Sequence, residues 1–76
     1  MFNAEQIREL LVAKNFKPFR LCLSDGATYD ILNHDMALVS RNAVEIGVNP
    51  DPQGIAEKFV RCAIAHITRI EDLQPA

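Results

Sequence analysis

His34 beside Asp35, the cysteines Cys22 and Cys62, and a scatter of arginines and lysines are the side chains of this chain that could carry chemistry. A His–Asp pair can move a proton, but adjacent residues on a turn orient each other poorly, and a nucleophile to complete the set is missing. An ordinary polar turn is the cheaper reading of that pair. The two thiols could pair, switch with redox state or bind metal. A metal site needs about four ligands at workable spacing, and neither Cys-x-x-Cys nor His-x-x-x-His occurs in the sequence. Both cysteines therefore read as small apolar side chains. Arg20, Arg41, Lys58, Arg61 and Arg69, with Lys17, could contact phosphate, yet Asp30, Glu45, Glu57, Glu71 and Asp72 are interleaved with them. Cross-strand ion pairs on a solvated face account for that pattern. Gly26, Gly47 and Gly54 stand alone rather than forming a phosphate-binding loop, and Gly47 suits a bulge that curls its strand. Neither a cofactor nor a metal is implied, and the chain does not read as an enzyme.

Those residues must be held by a small scaffold. Seventy-six residues make one domain, 1–76. A chain of this size buries about 60% of its unfolded surface and draws on the order of 3–5 kcal/mol from its core alone. Apolar residues are 49% of the chain and charged residues 24%, which excludes disorder. The net charge of −2 argues against strong electrostatic capture of nucleic acid. The sequence shows neither an apolar leader nor a run long enough to span a bilayer. A cytoplasmic protein with reduced thiols and no membrane partner is the expectation. Without disulfides or metal, self-association is the expected source of added stability.

The pattern along the chain predicts a helix over 3–14. Asn3 is the N-cap, Gln6 completes a capping box, and Phe2 with Ile7 forms a hydrophobic staple. Ile7, Leu10, Leu11 and Lys14 share one face, and Asn15 with Pro18 ends the element. Phe19, Leu21 and Leu23 then alternate with Arg20, Cys22 and Ser24, the period of a strand. A three-residue loop, Ser24-Asp25-Gly26, pairs Leu21 with Tyr29, Phe19 with Ile31 and Arg20 with Asp30. That register puts the apolar residues on one face and opposite charges on the other, with Gly26 in a left-handed position. It also places Tyr29 on the core face, away from any base-stacking role.

Residues 32–35 read as a connection. Strands follow over 36–39 and 43–48. A three-residue turn between them pairs Met36 with Ile46 and Leu38 with Val44 and leaves Asn42 left-handed. Residues 49–54 form a loop. Residues 56–64 read as a strand with Val60, Cys62 and Ile64 on one side. Residues 65–67 make a tight turn in which the His66 ring packs at the strand junction, and 68–73 form a last strand. A helix from about residue 63 is the competing reading, because Ile64, Ile67 and Ile70 also fit helical spacing.

The Leu21-Cys22-Leu23-Ser24-Asp25-Gly26 hairpin and the stretch Val60-Arg61-Cys62-Ala63-Ile64, running on to Ile70, resemble the two motifs of the Sm-like (Hfq-like) family. The resemblance implies a mainly β fold: an N-terminal α-helix capping a strongly bent, five-stranded antiparallel small barrel of the Sm-like or SH3-like kind. It also implies a homo-oligomeric ring that binds RNA. In such a ring Asn33, His34 and Asp35 would match the RNA-contacting loop, and Arg61 a basic contact. The chain is also similar to small bacterial proteins with a Pro-Phe-Arg…Ser-Asp-Gly start and a His-Ile-x-x-Ile-Glu end, a likeness that brings no activity with it. Two functions follow as expectations. One is a non-enzymatic module acting in self-assembly and protein interaction, and the other is the RNA-binding ring.

Overall fold

In the computed structural model, which describes residues 1–73, one helix precedes six strands. Helix α1 (Ala4–Val12) begins where the sequence places it. The Asn3 side chain accepts from the Gln6 N–H at 2.9 Å, and the Gln6 side chain accepts from the Asn3 N–H at 2.9 Å. It ends earlier than expected, because Ala13 already has extended backbone (φ −58°, ψ 139°). Ile7 and Leu11 are buried, whereas Leu10 and Lys14 are exposed, so the apolar stripe is narrower than predicted.

Strands β1 (Phe19–Leu23) and β2 (Thr28–Ile31) form the first hairpin in the predicted register: Phe19 with Ile31, Arg20 with Asp30, Leu21 with Tyr29. Gly26, at φ +90°, donates to the Leu23 carbonyl, and the Leu23 N–H donates to the Ala27 carbonyl. The turn therefore depends on a left-handed residue, the conformation glycine reaches at least cost. A 3-10 turn, His34–Met36, leads into β3 (Ala37–Val39), followed by β4 (Ala43–Val48), β5 (Lys58–Ala63), a second 3-10 turn (Ile64–His66) and β6 (Ile67–Asp72).

The five-stranded barrel is not formed. The six strands make two three-stranded antiparallel sheets, ordered β2-β1-β6 and β3-β4-β5. Two local features separate them. The turn at His34–Met36 stops β2 from running on into β3, and the turn at Ile64–His66 swings the chain from beside β4 to beside β1. The helical reading of the last segment is likewise replaced by β6. One core joins the two sheets and α1, built on Ile7, Leu11, Phe19, Leu21, Ile31, Val44, Ile46 and Ile67 with their neighbours.

The second hairpin is shifted by one residue from the expected pairing. Ala37 lies opposite Ile46, Leu38 opposite Glu45 and Val39 opposite Val44. A one-residue shift exchanges the faces of a strand, and Leu38 is accordingly 68% exposed while Ala37 is buried. Met36 is taken up by the 3-10 turn, so the strand begins on Ala37. The loop is two residues long, closed by the Ser40 N–H donating to the Ala43 carbonyl, and Asn42 has negative φ. Gly47 does not form a bulge, since it pairs with Phe59 in an unbroken ladder. Its role is close approach: a Cβ there would lie 2.8 Å from Met36 Cε and 3.0 Å from Ala56 Cβ.

Candidate functional site

The separation of the sheets leaves a groove between them. Its volume is about 540 Å³, and β2 forms one wall with Thr28, Tyr29 and Asp30. The ends of β4 and β5 form the other wall, with Val48, Lys58 and Val60. Leu32, Asn33 and Met36 line it where the chain crosses from one sheet to the other. That size lies within the usual range of ligand clefts, roughly 300–1,000 Å³.

Strand β2 borders this groove with an open edge. It is the outermost strand of its sheet. Antiparallel pairs alternate between hydrogen-bonded and non-hydrogen-bonded, and the Leu23–Ala27 bond sets the phase in this hairpin. Tyr29 and Ile31 therefore turn their N–H and C=O groups toward β1, and Thr28 and Asp30 turn theirs outward. The outer face of the same sheet is pinned by charge. Arg20 Nε donates to Asp30 Oδ1 at 2.7 Å and its guanidinium also lies 3.9 Å from Glu71 Oε1. The bond from Arg20 holds the Asp30 carboxyl below its ordinary pKa.

The four RNA-contact candidates are not gathered into one surface. Asn33 and His34 belong to the start of the first 3-10 turn, where the Asn33 side chain caps nothing and the His34 ring stands edge-on to Phe16, centroids 6.2 Å apart. Asp35 is exposed on the same turn. Arg61 is on β5, where its Nε donates to Glu45 Oε1 at 2.9 Å across the strands. That carboxylate raises the guanidinium pKa through its hydrogen bond and its charge. Asn33 alone of the four lines the groove.

His66 is exposed rather than packed at a strand junction, and its Nδ1 lies 3.2 Å from Ser24 Oγ. The Ser24 N–H also donates to the His66 carbonyl at 2.8 Å. The two bonds fasten the first hairpin turn to the second 3-10 turn. A working serine–histidine pair also needs an acid to orient the ring, and among the described residues neither hydrogen bond nor ion pair joins His66 to a carboxylate. Cys22 and Cys62 are buried free thiols. Burial, and to a lesser degree Asp25, pushes the Cys62 thiol up, away from the reactive thiolate. Among the described residues no three His, Cys, Asp or Glu side chains converge as a metal site requires. None of the described helices is long and apolar enough to cross a membrane.

Sequence reasoning did not identify the groove residues Leu32, Met36 and Lys58 as a group. The one signal available was the alternation of Lys58 and Val60 on the inward side of β5. Comparison with protein-family models, with curated proteins and with solved structures finds no match to this chain.

Proposed function

We propose that this chain is a non-enzymatic interaction module that assembles with copies of itself through its open strand edges. The observation that carries this reading is the arrangement of β5 and β6. Each is six residues long, each ends its sheet, and neither has a strand partner on its outer side among the described residues. An unpaired edge is a template for another chain, and pairing it removes the liability. The small core gives a second motive, because association is one of the ways a protein of this size adds to the stability of its core.

The RNA-binding ring is the weaker reading. The net charge is −2, and Arg61 is already engaged by Glu45. Sedimentation velocity at micromolar concentration tests the proposal. A dimer or larger species is expected, and a monomer across the whole range overturns it. Protein purified without nuclease is expected to carry no RNA. Retained RNA whose binding weakens with salt and is lost in Arg61→Ala would replace the proposal with the ring.

A further inference from the structure

We propose that the groove beside β2 binds an extended peptide of another protein, added as a further strand to the β2 edge and carrying a carboxylate that meets Lys58. The proposal rests on the reading of this chain as an interaction module and names the partner chemistry of one site on it.

Two features that arise separately meet at this place. The first is backbone: Thr28 and Asp30 present N–H and C=O groups on the open side of β2. A strand laid antiparallel or parallel to β2 satisfies them. The neighbouring edges are less suited. β3 is only three residues long and lies against α1, and β5 and β6 are assigned to self-association. The second feature is the groove itself, which starts at that same edge. Alternate side chains of an added strand point to one face, and on this side they enter a space lined by Tyr29, Met36, Ile46, Val48 and Val60. Strand addition works in this way: main-chain bonds supply affinity, and pockets for alternate side chains supply specificity.

Charge selects the partner. Lys58 lies on the far wall of the groove, on the same side of β5 as Val60, and it makes no ion pair among the described residues. Asp30 also borders the groove, but its carboxylate is turned to the outer face of the sheet and held there by Arg20. A cation with no anion paired to it favours a ligand with a carboxylate. A ligand bearing lysine there meets repulsion instead. A nucleic acid would also bring negative charge, but it cannot satisfy the strand edge and the apolar side-chain space together.

Binding of short end-blocked peptides, measured by fluorescence anisotropy with the full chain, tests this. The probes alternate leucine and threonine and close on either aspartate or lysine. Tighter binding of the aspartate peptide is expected, by about tenfold, which corresponds to about 1.4 kcal/mol. Lys58→Glu is expected to reverse that preference. N-methylation of the peptide amides that face β2 is expected to abolish binding without any change to the protein. Peptide addition is expected to shift the backbone amide resonances of Thr28 and Asp30. Equal binding of the two peptides, indifference to N-methylation, or resonance shifts confined to β5 and β6 overturns the proposal. Absence of peptide binding in a protein that still self-associates overturns this inference alone. Absence of both overturns the interaction-module reading with it.

Discussion

The two hairpins of this molecule have the same plan and are fixed in different ways. The β1–β2 turn is set locally, by a glycine at φ +90° and by Asp25 Oδ1 accepting the Ala27 N–H at 2.9 Å. The β3–β4 turn has no positive-φ residue. Its register is fixed by which residues reach the core: Val44 and Ile46 from β4, facing Val39 and Ala37 from β3. The second turn has local bonds too, the Ser40 N–H and Oγ both donating to the Ala43 carbonyl, but no left-handed residue. A turn built on a left-handed glycine therefore determines pairing from within, and one without it takes the pairing that tertiary packing imposes.

Several substitutions can break or sharpen that contrast. Ile46→Ala has the largest expected effect, a loss of about 2–5 kcal/mol in chemical denaturation, because it opens a cavity at the residue on which the second register rests. Gly47→Ala comes next. The added methyl meets Met36 and Ala56, and the expected cost is about 1–3 kcal/mol. Gly26→Ala forces a left-handed residue to carry a Cβ and is expected to cost about 1–2 kcal/mol. The same logic gives Asn42→Gly no gain, since Asn42 is not left-handed. A clear stabilisation there would restore the three-residue turn. Leu38→Ala is expected to change stability by less than about 0.5 kcal/mol, as an exposed position does. A loss of core size would place Leu38 inside and refute the observed register.

The smallest effect concerns pH. Asp30 titrates below its ordinary value of 3.8, chiefly through the bond from Arg20. Its contribution is therefore present above the unfolded-state pKa and fades as pH falls through the lower folded-state value. Asp30→Asn should flatten the acid limb of the stability profile and leave neutral pH almost unaffected, since exposed pairs contribute little.

What was legible in the sequence follows the same division. The capping box at Asn3 and Gln6 and the Asp25-Gly26 turn are local signals, and both are where they were read. Alternation from Phe19 to Leu23, matched to Tyr29 and Ile31 with Arg20 opposite Asp30, points to the register observed in the first hairpin. Met36, Ala37, Leu38 and Val39 are apolar at every position, so no alternation tells which pair faces inward. The breaks near both 3-10 turns are legible, as the connection over 32–35 and the tight turn over 65–67, but alternation along the chain does not tell whether the strands on either side join one barrel or two sheets, as they do here. The groove was illegible for a further reason. Tyr29, Met36 and Lys58 come together only through the placement of one sheet against the other. Ser24 and His66, separated by 42 positions, meet in the same way.

Hydrogen exchange at the outer-edge amides of β5 and β6, followed as protein concentration is raised, tests the central claim most directly. Edge pairing between copies predicts that these amides become protected in step with association, while the β2 amides of Thr28 and Asp30 stay open. Protection that does not change with concentration would contradict the account.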